Sequence, residues 1–166
     1  MRLRHVTWLL FGILLAGCGK KGHEHLPWPA SVNLNGISES DAALIRNAFT
    51  QMNDEGGKMI VQETSERGKY PIAFQIVEFP KSETQAGLAT IEDTRCTIQL
   101  ARHLFTDPSM SSYLVPVVWH ELGHCAGLKH NPIRGEIMFA STVPFERYSP
   151  KEIARFFADL FDSSSL

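Results

Sequence analysis

The period of apolar positions changes several times along the chain, and each change marks an element. From Ser38 to Asn53, Ala42, Ile45, Phe49 and Met52 recur at three- and four-residue spacing, the stripe of an amphipathic helix. Ser38 or Ser40 offers an N-cap and Gly56-Gly57 a stop, as helix ends require. The period then falls to two. Lys58 to Glu63 is short and β-branched, and Ile72 to Phe79 alternates between Pro71 and Pro80, which predicts a central strand in the second case. Ala86 to Ile91 and Arg95 to Ala101 are the next strand pair, and Thr106-Asp107-Pro108-Ser109 is a turn. An apolar helix begins near Ser112 to Pro116, since proline is tolerated in a first turn. Its Val117, Val118, Leu122 and Leu128 point to the core, and Trp119 reads as core in preference to cleft lining. Ser149-Pro150-x-Glu152 caps a last helix with Ile153, Phe156, Phe157 and Leu160 as its stripe.

At 166 residues and 43% hydrophobic, the chain is long enough for one domain with a substantial core. A net charge of −2 indicates no nucleic-acid or polybasic membrane partner. The first 17 residues stand apart. Arg2 and Arg4 precede an apolar run from Val6 to Ala16, too short for a mature membrane helix and patterned as a signal peptide. The run ends in Leu15-Ala16-Gly17-Cys18, which resembles the bacterial lipoprotein box. The resemblance implies a lipidated Cys18 as first mature residue, with more than one acyl chain for stable anchoring. Gly19 in place of Asp favours the outer membrane, facing the periplasm or the cell surface. Residues 18–36 are rich in Gly, Lys, Pro and Asn and read as a flexible tether, and 163–166 as a disordered tail. His23-Glu24-His25 reads as linker in preference to metal site.

The candidate chemistry lies between Val117 and Met138, in His120-Glu121-x-x-His124-x-x-Gly127-x-x-His130. Histidines four apart share a helix face, and neutral imidazoles suit Zn²⁺. Gly127 lets the chain leave the helix through a positive φ and bring His130 back as a third ligand. A fourth position is then left for water, with Glu121 beside it as proton acceptor. A chance match to all five positions is on the order of 10⁻⁵ to 10⁻⁴ per chain, so the spacing carries weight.

This motif resembles that of the metzincin zinc peptidases, which pair it with a downstream methionine in a Met-turn. Gly135-Glu136-Ile137-Met138 places Met138 eight residues after His130, a spacing similar to the matrixin branch. Archaemetzincins share the spacing but carry cysteines where this chain has Asn131 and Glu136. Astacin- and serralysin-like members carry a tyrosine ligand where this chain has Ala140. The resemblance implies an α+β metzincin-like zincin domain over 37–162: a twisted mixed sheet of four or five strands, two long helices, a Met-turn and a C-terminal helix. It implies a zinc endopeptidase with one catalytic Zn²⁺ on His120, His124 and His130, Glu121 as catalytic residue, and a peptide or protein substrate. Gly87, Leu88, Ala89 and Thr90 correspond to the edge strand above the cleft, which pairs with extended peptide. Phe139, Val143, Pro144 and Phe145 correspond to an apolar pocket wall. Nothing resembles the pro-segment cysteine that silences matrixins. The alternative is a non-catalytic zinc-binding lipoprotein or assembly factor with a peptidase-like fold. An extracytoplasmic compartment permits a disulfide between Cys96 and Cys125; two small buried apolar residues are the other reading.

Overall fold

The structure, a computed structural model, describes residues 29–65, 71–80 and 85–163. The signal-like segment, Cys18 and His23-Glu24-His25 lie outside the described residues, as do 164–166.

The elements follow the periods closely. α1 spans Glu39–Glu55, and Ser38 caps it by accepting from the Asp41 amide at 3.3 Å. It buries Ala42, Ile45, Phe49 and Met52, the expected stripe, and Ala48 beside them. β2 (Val61–Glu63), β3 (Ile72–Val77), β4 (Gly87–Glu92) and β5 (Arg95–Ala101) are the four expected strands: β2 and β3 are shorter, β4 is shifted by one residue and β5 keeps its expected bounds. A short helix α2 (His103–Thr106) and a 3₁₀ turn (Pro108–Tyr113) lead into α3 (Leu114–Cys125), and α4 spans Pro150–Ser163. Ser149 and Glu152 close a capping box at the start of α4, with the Ser149 amide donating to the Glu152 carboxylate at 2.6 Å. Ser163, assigned to the tail by its composition, is the last residue of that helix.

One boundary needs correction. Residues 30–33, placed in the tether, form β1 (Ala30–Asn33), which pairs in parallel with β2 on one side and β3 on the other. Ala30 and Val32 are fully buried. The alternation Ala30, Val32, Leu34 is present in the sequence but brief, and Asn33, Asn35 and Gly36 mask it. A four-residue strand gains its stability from partners 30 to 40 positions away, which local pattern does not reveal.

The sheet order is β2-β1-β3-β5-β4. Four strands are parallel and β4 runs antiparallel along the edge, so the fold is α+β with a mixed five-stranded sheet. α1 packs on α3, and α3 lies against β4 and β5. Trp119 sits in this layer with no exposed surface, its indole N–H donating to the Ala48 carbonyl at 3.0 Å. Phe145, Phe156 and Phe157 surround its ring at 5.2–6.1 Å between centroids. Trp119 is thus a core residue joining α1, α3 and α4. Phe145, read from sequence as pocket wall, is half-buried against it.

Candidate metal centre

α3 is buried along almost its whole length. Its last turn closes by a Schellman motif. The Leu128 amide donates to the Gly123 carbonyl at 2.9 Å, the Gly127 amide to His124 at 2.8 Å, and Gly127 takes φ +87°. This reversal returns the chain and brings His130 opposite the helix.

The three Nε2 atoms then form a nearly equilateral triangle. His120 to His124 is 3.0 Å, His120 to His130 is 3.1 Å and His124 to His130 is 3.1 Å. His120 is buried, His124 half-buried and His130 exposed, so the triangle opens to solvent on the His130 side.

The outer nitrogens decide what those contacts are. His120 Nδ1 lies 2.6 Å from the Ile137 carbonyl and His124 Nδ1 2.8 Å from the Leu128 carbonyl. A carbonyl only accepts, so both Nδ1 atoms carry the proton and both Nε2 atoms present bare lone pairs. Two bare lone pairs at 3.0 Å repel each other, and a cation between them removes the repulsion. Tetrahedral Zn–N bonds of roughly 2.0–2.1 Å place ligand nitrogens roughly 3.3 Å apart, within a few tenths of an ångström of this triangle. The residues therefore fit a zinc ion with three protein ligands and one side left open. Burial holds the His120 imidazole near a pKa of about 4 despite the Ile137 bond, with His124 and His130 adding to the effect. Burial also lowers that of His124. Both favour the neutral, ligating form.

Glu121 follows His120 on the helix and is 5% exposed. Desolvation pushes its carboxyl up to about 7, partly offset by a hydrogen bond from the Ala89 amide of β4. The edge strand passes so close that a Cβ on Gly87 would lie 2.6 Å from Glu121 Oε1. A side chain on Gly87 would therefore have to displace the Glu121 carboxyl, and the sequence marked Gly87 only as strand. Gly123 is a second such position. Its missing side chain makes room for the Met138 sulfur, which would lie 2.5 Å from a Cβ there. Met138 is 4% exposed and packs against α3 at Gly123.

The structure thus brings His120, His124 and His130 together, while Glu121, next to His120 on α3, lies against Gly87 and Ala89 of the edge strand that also carries Leu88 and Thr90, and Met138 packs against Gly123 of the same helix. Cys96 and Cys125 form a disulfide with Cα atoms 5.7 Å apart, tying β5 to the end of α3. Sequence reasoning missed a cluster around Glu136. This carboxylate is buried and bonded to Asn131 and Arg155. Apart from this centre, a recess of about 620 Å³ beside the start of α1 is lined by Asp41, Phe74 and Arg102 among others. Asp41 and Arg102 pair with each other there at 2.9 Å.

No protein-family model and no curated protein matches the sequence. Among solved structures the chain is similar to an archaemetzincin from Methanopyrus kandleri. That match has a TM-score of 0.56 and 19% identity, and it covers 86% of this chain and 97% of that one. At this identity the likeness is one of fold, and it agrees with a metzincin-like zincin domain.

Proposed function

We propose that this chain is a zinc-dependent endopeptidase, held at a bacterial membrane by lipid on Cys18. The observation that carries the hydrolase reading is the triangle of three imidazole Nε2 atoms, two of them with bare lone pairs, on the helix that also carries the buried Glu121 carboxylate. The solved fold neighbour is named an archaemetzincin, and metzincins are zinc peptidases, which supports the same reading.

Bound Zn²⁺ supplies a Lewis acid that polarises a carbonyl and acidifies water. Glu121 takes the proton of the attacking water and later delivers it to the leaving amine. Its carboxyl is pushed up to about 7 by burial, which suits a group that must both accept and donate near neutral pH. Ile137 and Leu128 hold two ligand rings in the ligating tautomer. An extended peptide lies along the outer edge of β4, the last strand of the sheet among the described residues, pairing with its backbone. Met138 packs below the ligands and does not coordinate.

The matrixin-like branch is supported by Asn131 and Glu136 in place of the archaemetzincin cysteines and by Ala140 in place of a tyrosine ligand, at a Met138 spacing that matrixins and archaemetzincins share. The Leu15-Ala16-Gly17-Cys18 tetrad supports the anchor. No helix among the described residues is long and apolar enough to cross a membrane.

The deciding assay compares wild type and Glu121→Ala on a quenched peptide library, with and without chelator. We expect chelator-sensitive cleavage in the wild type and a loss of at least about 10²-fold in the variant, in line with the worth of a general base. Unchanged cleavage by a variant that still holds one zinc per chain would sink the mechanism. Zinc binding with no cleavage in either form would favour the non-catalytic module. For the anchor, incorporation of labelled fatty acid should vanish in Cys18→Ser.

A further inference from the structure

The loop from His130 to Met138 contributes a ligand at one end and the support of a second ligand near the other, yet it holds no helix or strand beyond one isolated bridge between Asn131 and Phe139. His130 itself is exposed, so packing alone does not fix it. Three polar side chains do cross the loop. Asn131 Nδ2 donates to Glu136 Oε2 at 2.6 Å, and Arg155 Nη1 from α4 donates to Glu136 Oε1 at 2.7 Å. Asn131 Oδ1 accepts from the Ile133 amide at 3.1 Å. The backbone closes the same ring, with the Asn131 amide donating to the Met138 carbonyl at 2.9 Å.

We infer that Glu136 is a positioning residue for the metal centre, acting through Asn131 on one side and through Ile137 on the other. Asn131 is the neighbour of the ligand His130. Ile137 is the neighbour of Glu136 and supplies the carbonyl that orients His120 at 2.6 Å. One buried carboxylate therefore sets the relative placement of two ligands from opposite ends of the loop. Arg155 balances its charge and ties the loop to α4. Charge-assisted bonds this short are about twice as strong as neutral ones, and they restrict a loop that would otherwise spread its conformations. The carboxylate and its two partners occupy no place in the chemistry itself.

This inference rests on the zinc reading, so the test begins with metal alone. Zinc affinity is measured by chelator competition on the full chain, and the ligand field by the visible absorption of the Co²⁺-substituted protein. Glu136→Ala should weaken zinc binding about 10- to 100-fold, the usual effect of losing a group that orients metal ligands, and should shift the cobalt bands. Asn131→Ala should act in the same direction. Arg155→Ala should weaken binding less, and Arg155→Lys should recover most of the loss. If Glu136→Ala does not fold, Asn131→Ala and the Arg155 pair decide. Folded variants with wild-type affinity and wild-type cobalt spectra overturn the inference, even when their melting temperatures fall, because that pattern marks a role in stability alone. A wild type that binds neither zinc nor cobalt overturns the proposed function and this inference with it.

Discussion

A carboxylate that is 5% exposed and bonded to one backbone amide keeps its proton to higher pH than one in water. Buried imidazoles do the reverse. These two effects sit on adjacent residues and oppose each other in the metal-free protein. Glu121, raised from 4.5 to about 7, contributes stability below pH 4.5 that is lost as pH rises through 7. His120, lowered from 6.5 to about 4, contributes stability above pH 6.5 that is lost as pH falls through 4. Between about pH 4.5 and 6.5 the slopes partly cancel. Metal-free Glu121→Gln should therefore gain stability with rising pH more steeply than wild type over that window, by at most about 1.4 kcal/mol per pH unit. Urea midpoints at several pH values in chelator would show it, and parallel curves would refute it. Gly123 gives a second test at this scale. A methyl group there meets the Met138 sulfur and the Phe156 ring, so Gly123→Ala should cost about 1–3 kcal/mol by overpacking, read as a lower melting temperature.

Among the elements, α3 and β5 are joined by the Cys96–Cys125 bridge across a separation of 29 residues. Both cysteines are 1–2% exposed, which fits a structural link better than a reactive one. Replacing both by alanine should lower stability by about 2–4 kcal/mol, seen as a shift in denaturant midpoint. A double variant as stable as wild type would show that packing alone holds the helix end. The helices and strands themselves were legible in the sequence because their apolar stripes are long and regular, as in α1 and β5. The Gly127 turn was legible too, since few residues other than glycine accept its positive φ. β1 was hidden because its stability comes from neighbours distant in the chain. The brace around Glu136 was hidden for the same reason: Arg155 is 19 residues away, and no local period links them.

At the scale of the molecule, β1 lies between β2 and β3, inside the sheet. Removing residues up to 36 takes out an interior strand and exposes two strand edges, so a chain beginning at 37 should fail to give a cooperative melt by circular dichroism. The metal centre joins α3 to the loop before α4, so an ion there binds the folded chain and not the unfolded one. Saturating zinc should raise stability by about 2.7 kcal/mol at a hundredfold excess over Kd, and chelator should reverse it. An unchanged melting curve with and without zinc would argue against the site.

Local spacing was enough for α1, α3, α4, the strands β2 to β5, the five motif residues and the class of chemistry they permit. Those depend on spacing within a few turns of chain, and a helix of period 3.6 converts such spacing directly into a shared face. The convergence of the three Nε2 atoms to 3.0–3.1 Å came from the packed fold. That fold alone showed that carbonyls of Ile137 and Leu128 fix two of their tautomers and that β4 passes so near Glu121 that a side chain on Gly87 would displace the carboxyl. Each of these is a contact between segments that meet only when the sheet and helices have packed, and packing distance is not written in periodicity.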